Sequence, residues 1–184
     1  MGHPTAEQDR EEILRVSKIW SDANVGLDID ALDEVFPVGD NFVMFNLDSF
    51  AYFGIDELKE LWRYLKVTFP PRSIQTSRVM KMEVSGDMAW IISETTTIKG
   101  GQPTASRNTE VFQRDDGAGN RVWRMWHFHC SALQFDFSDR PVFTDDVPRR
   151  HFGDTLADRG LGTIPGKEPV VEWVTRLEDQ KHLS

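Results

Sequence analysis

The segment from Arg107 to Ser131 carries the side chains best suited to chemistry. It predicts two β-strands around a Gly-rich turn, and one face of this hairpin is strongly apolar. Glu110 lies on that face. A carboxyl group in an apolar interior is costly unless it is paired or used, so Glu110 is the first candidate for proton transfer.

Two histidines lie on the second strand of the same hairpin. His127 and His129 are two residues apart on one face, where they would suit a general base or ligands. Alternation places them opposite Trp126 and Phe128, which favours the outer face of the sheet or a subunit interface. A β-bulge would reverse this parity, so His129 stays a catalytic candidate. No third ligand has the spacing to complete a metal site, and we expect none.

The composition limits the classes of function. The chain has 184 residues, of which 39% are hydrophobic, and this fits one globular domain with a tail. The net charge is −9 and no Lys/Arg cluster occurs, so we expect neither a nucleic-acid partner nor binding to an anionic membrane. The sequence has no GxGxxG motif or phosphate loop, and we expect no cofactor.

Cysteine content indicates the compartment. Cys130 is the one cysteine of the sequence, so an intramolecular disulfide is impossible and a reducing compartment is the default. No apolar run reaches membrane-spanning length, and no signal-peptide pattern occurs. We therefore expect a cytoplasmic protein in which Cys130 is a small buried hydrophobe rather than a nucleophile.

Hydrophobic periodicity predicts the elements that position these residues. The predicted helices cover 9–24, 30–36, 55–67 and, near the end of the chain, 170–180. The predicted strands cover 41–47, 78–85, 88–98, 105–113 and 121–135. Helices followed by a β-meander indicate an α+β fold with helices on one face of a curved antiparallel sheet.

The chain divides into three parts by the same pattern. Residues 1–8 are polar and are predicted to be flexible, and residues 9–137 form the domain. Residues 138–184 are rich in Pro and Gly but contain Phe143, Phe152 and Trp173. We expect this C-terminal extension to pack on its own core or on a neighbouring subunit.

Several motifs resemble those of the nuclear-transport-factor-2-like superfamily, which is also called SnoaL-like. They are Gly26-Leu-Asp-Ile-Asp-Ala-Leu, Gly54 before the helix that holds Trp62, Gly86-Asp-Met-Ala-Trp, Arg107-Asn-Thr-Glu-Val, and Trp123-Arg-Met-Trp-His-Phe-His-Cys-Ser. The last motif is similar to the association domain of calcium/calmodulin-dependent protein kinase II. The resemblance implies a cone, in which a curved sheet wraps around helices and encloses a pocket.

The resemblance leaves the activity open. Members include isomerases, dehydratases, epoxide hydrolases, polyketide cyclases and cofactor-free lyases, and others are only oligomerisation or ligand-binding domains. The pocket arginines of the association domain correspond to Glu94, Glu110 and Cys130 in this chain. An anion-binding pocket is therefore not implied.

The interior of such a cone is expected to hold the bulkier, more aromatic face of each strand. That rule selects Trp90, Ile92 and Glu94; Asn108, Glu110 and Phe112; and Trp126, Phe128 and Cys130. Two nearby carboxyl groups in an apolar cavity would have separated pKa values and would divide the roles of base and acid. In the alternative, Glu94 and Glu110 are paired with arginines such as Arg63, Arg78 or Arg107, or lie at the solvent-exposed mouth.

These observations together predict a cofactor-independent acid–base enzyme: a lyase, dehydratase or isomerase, with retro-aldol-type C–C cleavage among its reactions. The expected substrate is small, hydrophobic and aromatic. Its ring would contact Trp90, Trp126 and Phe128, and its polar groups would contact Asn46, Tyr52 and Asn108. The alternatives are a non-catalytic ligand-binding or oligomerisation domain and an accessory protein. We expect a homodimer or homotrimer.

Overall fold

The computed structural model describes residues 5–68, 72–99, 102–132 and 168–180. In chain order, the elements are α1 (Ala6–Gly26), α2 (Leu32–Val35), a 3₁₀ turn (Gly39–Asn41), β1 (Val43–Phe45), β2 (Ala51–Phe53), α3 (Gly54–Thr68), β3 (Arg72–Ser85), β4 (Met88–Lys99), β5 (Gln102–Arg114), β6 (Trp123–Ala132), β7 (Val171–Arg176) and α4 (Leu177–Gln180).

The strands of these described ranges form one seven-stranded sheet in the order β2-β1-β6-β5-β4-β3-β7. Every neighbouring pair is antiparallel except β1 and β6, which run parallel. Helix α1 packs on one face of the sheet, against β3 and β6. The predicted α+β architecture, a curved sheet with helices on one face, is confirmed.

Helix α1 forms because its sequence supplies both a cap and an apolar face. Thr5 and Gln8 make a capping box, and Leu27 ends the helix in the left-handed conformation. Ile13, Val16 and Trp20 are buried against the sheet. The helix begins three residues before the predicted Asp9, so residues 6–8 belong to it.

Aromatic side chains close the core between the helices and β6. Trp20 stacks on Trp62 with ring centroids 5.4 Å apart. It also meets the edges of Phe36 and Phe128, at 5.3 Å and 5.1 Å. Such contacts add about 0.5–1.5 kcal/mol per pair beyond the burial of apolar area. Trp20 and Trp62 are therefore core residues.

The helix predicted over 170–180 is wrong for most of its length. Val171–Arg176 is a strand that pairs with β3 at the edge of the sheet, and only Leu177–Gln180 is helical. Its side chains alternate, with Thr175 buried and Glu172 and Val174 exposed. The free edge of β3 decides this, because a strand added there has its backbone groups paired. Phe143 and Phe152 lie outside the described residues.

Candidate functional site

The structure reverses the predicted interior face of β4. Ala89, Ile91 and Ser93 are buried on the side of α1. Trp90 and Ile92 line a groove on the opposite, outer face of the sheet. The rule that the bulkier face points inward fails here because both faces of β4 carry apolar side chains, so bulk alone does not identify the buried face.

Glu94 therefore does not approach Glu110, and the predicted pair of carboxyls is wrong. Glu94 is on the outer face, directly between Arg78 on β3 and Arg107 on β5. Its Oε1 lies 3.5 Å from Nε of Arg107, whereas Nε of Arg78 lies 2.9 Å from Oε2 of Glu172. For Glu94, the alternative of an arginine partner is confirmed.

Glu110 lies on the inner face, as predicted, and is 3% exposed. Ser17 Oγ donates a hydrogen bond to its Oε2 at 2.6 Å, and Ser93 Oγ donates to its Oε1 at 3.0 Å. None of the ion pairs among the described residues includes Glu110. Burial raises the pKa of Glu110 from 4.5 to about 7, although the two serine hydroxyls act in the opposite direction.

Asn108 extends the hydrogen bonding from Glu110 along the inner face. Its Nδ2 donates to Ser93 Oγ at 3.2 Å and to Thr95 Oγ1 at 2.9 Å. Its Oδ1 accepts from Ser106 Oγ at 3.0 Å. The predicted inward position of Asn108 is confirmed, and its amide is held in one orientation by these three partners.

A second set of hydrogen-bonded side chains lies under α1, beside the set formed around Glu110 and Asn108. Ser21 Oγ lies 2.8 Å from Ser77 Oγ, and Gln75 Nε2 donates to Ser21 Oγ at 3.1 Å. Gln75 Oε1 accepts from Thr97 Oγ1 at 3.2 Å. Ser77 Oγ is 3.5 Å from Thr95 Oγ1, and this contact connects the two groups into one buried network.

The network surrounds a cavity of about 20 Å³ between α1 and the sheet. A cavity needs about 10–15 Å³ to hold one water molecule, so this cavity has room for a group of very few atoms. Its lining residues are Ser17, Trp20, Ser21, Gln75, Ser77, Ser93, Thr95, Asn108, Glu110 and Trp173. Among the lining residues that the structure describes, Glu110 is the one ionisable side chain.

The histidines lie away from this cavity. His127 Nδ1 is 2.9 Å from the carbonyl oxygen of Val43, and its ring meets that of Phe45 at 5.4 Å. His129 is exposed beside the same Phe45 ring, at 5.9 Å. Both occupy the outer face that strand alternation favours, so the structure does not place His129 where it would act on Glu110 or its surroundings.

A register shift in β6 changes the position of Trp126. Val111 is opposite His127 and Phe112 is opposite Met125, so Trp126 is the extra residue of a bulge. Its Nε1 donates to the carbonyl oxygen of Asp115 at 2.8 Å. Trp126 therefore supports the β5–β6 connection and does not line the cavity, contrary to the sequence prediction.

Phe128 and Cys130 are buried on the inner face, as predicted, but they contact other parts of the core. Phe128 packs against Trp20. Cys130 Sγ donates to Asn46 Oδ1 at 3.5 Å. Neither of the two is among the residues that line the cavity.

Asn46 in the β1–β2 turn and Tyr52 on β2 are not among the residues that line the cavity. The hydroxyl of Tyr52 donates to Asp48 Oδ2 at 2.6 Å, and Asn46 Nδ2 donates to the same oxygen at 3.1 Å. Burial, with the nearby carboxylate of Asp48, raises the pKa of Tyr52 to about 12. This cluster stabilises the turn between β1 and β2. The substrate contacts expected at Asn46 and Tyr52 stay a prediction, and they do not concern this cavity.

Sequence reasoning missed the polar residues that surround Glu110. Ser17 and Ser21 are four residues apart on α1 and therefore share one helix face. Their position among Val16, Trp20 and Ala23 was the available signal, because hydroxyls on an apolar helix stripe need partners. Gln75 and Ser77 lie before the predicted start of their strand.

The described residues contain no group of three or more His, Cys, Asp or Glu side chains placed to hold a metal ion. No helix in these ranges has the length and apolar character needed to cross a membrane.

A model of the SnoaL-like domain matches residues 13–134. The chain belongs to the SnoaL-like family. This match covers α1 from Ile13 onward and every strand from β1 to β6, and it ends before β7. No curated protein matches the sequence.

Solved structures with the same fold confirm the NTF2-like architecture. A candidate dehydratase of the NTF2-like family from Streptomyces avermitilis is 16% identical, with a TM-score of 0.60 over 71% of this chain and 99% of that one. An NTF2-like protein of unknown function from Pseudomonas putida is 20% identical, with a TM-score of 0.59 over 77% and 98%. A candidate calcium/calmodulin-dependent protein kinase type II association domain from Thiobacillus denitrificans is 19% identical, with a TM-score of 0.54 over 73% and 99%. At these identities the likeness concerns the fold alone.

Proposed function

We propose that this SnoaL-like protein is a cofactor-independent enzyme in which Glu110 transfers a proton to and from a small substrate. One observation carries the proposal. A fully buried carboxyl group takes hydrogen bonds only from the hydroxyls of Ser17 and Ser93 among the described residues, and its pKa is raised to about 7. A carboxyl group with a pKa near the operating pH is suited to general acid–base catalysis.

Glu110 performs both halves of the transfer in this proposal, because Glu94 lies on the other face of the sheet. The carboxylate removes a proton from the substrate and becomes the carboxylic acid, which then returns the proton at a second position or to a leaving hydroxyl. The first route is an isomerisation and the second a dehydration. Ser17 and Ser93 stabilise the ionised form by donating to both oxygens.

The polar side chains beside Glu110 suit the oxygen atoms of such a substrate. Asn108 and Thr95 offer amide and hydroxyl groups within the same network, and no described lining residue is cationic. Trp20 and Trp173 supply the apolar part of the lining. We therefore propose a neutral substrate with one or two oxygen atoms on a small hydrophobic frame. A cavity that binds benzene measures about 150 Å³, so an aromatic ring does not fit beside Glu110 as the side chains lie here.

The test compares two matched variants, Glu110→Gln and Glu94→Gln, in a thermal-shift screen against small ketones, enones, alcohols and diols. Ligand binding raises the melting temperature by mass action. Compounds that stabilise the wild type are then assayed for isomerisation and dehydration. We expect Glu110→Gln to lower turnover at least about 100-fold, and Glu94→Gln to keep it. Equal turnover in wild type and Glu110→Gln would refute the proposal.

A second candidate function is a subunit-forming domain without chemistry, and the outer face of the sheet favours it. An open groove of about 540 Å³ lies on this face, lined by Trp90, Ile92 and Val111 among others. Met88 at the same groove is 52% exposed, and exposed apolar patches on soluble proteins mark contact sites. We propose a second copy of this chain as the occupant, in keeping with the homodimer or homotrimer expected from the sequence.

Light scattering after size-exclusion chromatography measures the oligomeric state directly. The substitution Val111→Lys places a charge in the groove and is expected to convert a dimer to a monomer. Val67→Lys, at an exposed position of α3, is the control. A monomeric wild type would remove the second candidate. A dimer that binds none of the screened compounds, with Glu110→Gln unchanged in every assay, would favour it over the enzyme.

A further inference from the structure

The cavity beside Glu110 has one wall from outside the family domain. Trp173 lines it, yet this residue belongs to β7, and the SnoaL-like match ends at residue 134. The Cα of Trp173 is directly opposite that of Ser77, whose hydroxyl is part of the buried network. A chain with the family domain alone would lack this wall.

Strand β7 is held firmly in the position that places Trp173 there. Thr175 Oγ1 donates to Asp22 Oδ1 at 2.6 Å, and Gln180 Nε2 donates to the backbone oxygen of Asp22 at 2.5 Å. On the other face, Glu172 Oε2 lies 2.9 Å from Nε of Arg78. These contacts connect β7 and the following α4 to α1 and to β3, and they hold the backbone of Trp173 beside the cavity.

Alternation along β7 directs the indole inward. Val171, Trp173 and Thr175 face the helix side, and Glu172 and Val174 face away. Without β7, β3 would be the edge of the sheet, and the space beside Ser77 and Gln75 would open at that edge. The side chain of Trp173 covers this opening.

We propose that Trp173 is a specificity-determining residue that limits the part of a ligand reaching Glu110 to a few non-hydrogen atoms. The inference rests on the proposed function of Glu110. The cavity volume of about 20 Å³ excludes a ring, whereas removal of the indole adds space toward the roughly 150 Å³ of a cavity that binds benzene. A smaller residue at position 173 therefore admits aromatic ligands that the wild type rejects.

Thiol labelling measures this access without a known substrate. Ser77→Cys places a thiol in the cavity wall, and two methanethiosulfonate reagents, one methyl and one benzyl, differ in size. The thiolate attacks the reagent sulfur, forms a mixed disulfide and releases methanesulfinate. Peptide mass spectrometry separates this label from any label on Cys130, and protein without Ser77→Cys gives the background rate.

The rates are compared in Ser77→Cys combined with Trp173→Ala, Trp173→Phe or Val174→Ala. Val174 is the neighbour on the same strand and is 51% exposed on the opposite face. We expect Trp173→Ala to accelerate benzyl labelling at least tenfold over the Trp173 parent. The smaller methyl reagent should gain less, Trp173→Phe should be intermediate, and Val174→Ala should match the parent.

Two results would overturn the inference. One is equal benzyl labelling with tryptophan and alanine at position 173. The other is equal acceleration by Val174→Ala, which would mean that loosening of β7, and not the indole, controls access. Circular dichroism checks folding, and Trp173→Leu carries the test if Trp173→Ala does not fold.

The labelling result is independent of catalysis and so separates this inference from the proposed function. In a Glu110→Gln background, the size dependence of labelling should persist because it reports only the wall. If it persists while Glu110→Gln alters neither ligand binding nor turnover, the wall is supported and the catalytic role of Glu110 fails. If labelling shows no size dependence but Glu110→Gln abolishes turnover, the catalytic role of Glu110 is supported and the proposed role of Trp173 fails.

Discussion

Ser17 on α1 donates a 2.6 Å hydrogen bond to Glu110 on β5, and both side chains are buried. The bond connects the helix to the middle of the sheet across 93 residues of sequence. It couples the position of α1 to the protonation of the carboxyl group, because a donated hydrogen bond favours the ionised form.

Loss of this bond should raise the pKa of Glu110 above its value of about 7. In Ser17→Ala the carboxylate keeps the desolvation that raises its pKa and loses one of the two donors that lower it. Carbon-13 NMR titration of labelled glutamate side chains measures the shift. Ser21→Ala is the control, since Ser21 lies one helix turn away and contacts Ser77 and Gln75 instead. A lower pKa in Ser17→Ala would contradict the role assigned to the bond.

The raised pKa of Glu110 also predicts how stability depends on pH. The group binds a proton more tightly in the folded state, so its contribution is complete below pH 4.5, declines as pH rises and is lost above about 7. The total is on the order of 3 kcal/mol. Glu110→Gln should therefore remove a decline of this size in the free energy of unfolding between pH 4.5 and 7.

Urea denaturation at several pH values checks this prediction, with Glu94→Gln as the matched control. The control keeps Glu110 and should keep the decline in this pH window. If wild type and Glu110→Gln give parallel stability curves, then the buried carboxyl does not titrate as the structure implies.

The ion pair of Asp9 and Arg114 should stabilise the first turn of α1. Both side chains are 11% exposed, and Trp123 Nε1 donates to the second Asp9 oxygen at 3.1 Å. Burial acts to raise the pKa of Asp9, but the hydrogen bonds from Arg114 and Trp123 hold it below its usual value. This stabilisation is present at neutral pH and is lost as pH falls through that lowered pKa.

Arg114→Met should cost about 3 kcal/mol, because it leaves the Asp9 carboxylate buried without its cation. The double variant with Asp9→Asn should recover part of the loss. Chemical denaturation at pH 7 measures both. A double variant that is less stable than Arg114→Met alone would show that Asp9 acts through other contacts.

Trp62 and Trp90 offer a comparison of core and outer face. Trp62 is 2% exposed and stacks on Trp20, whereas Trp90 lies in the outer groove with Lys81 5.1 Å above its ring. Trp62→Ala should cost about 3–5 kcal/mol of stability. Trp90→Ala should cost less in the monomer, as measured by urea denaturation. Equal costs would mean that the groove is part of the folding core.

Local patterns in the sequence predicted much of the framework. The spacing of Ile13, Val16 and Trp20 identified α1, and alternation around Gly86-Asp87 identified the β3–β4 hairpin. The motif from Trp123 to Ser131 carried the family resemblance that the match over residues 13–134 confirms. These signals are local, so they predict an element without knowledge of what packs against it.

The sequence identified only part of the candidate site, because local patterns do not show which elements pack together. Glu110 and Asn108 were placed correctly, because they share a strand face with Phe112, which is fully buried in the core. Glu94 was placed on the wrong side, because alternation states which side chains share a face but not which face meets the helix. The bulge at Trp126 and the pairing of β7 with β3 depend on partners distant in sequence.

The sequence by itself determined the family, the α+β class and the presence of an acid on the inner face of β5. Only the tertiary structure decided that Glu110 accepts hydrogen bonds from two serine hydroxyls, that Glu94 pairs with Arg107, and that Trp173 lines the cavity. The physical reason is that periodicity is encoded residue by residue. The environment of a buried carboxyl instead depends on side chains brought together from α1, β3, β4 and β7.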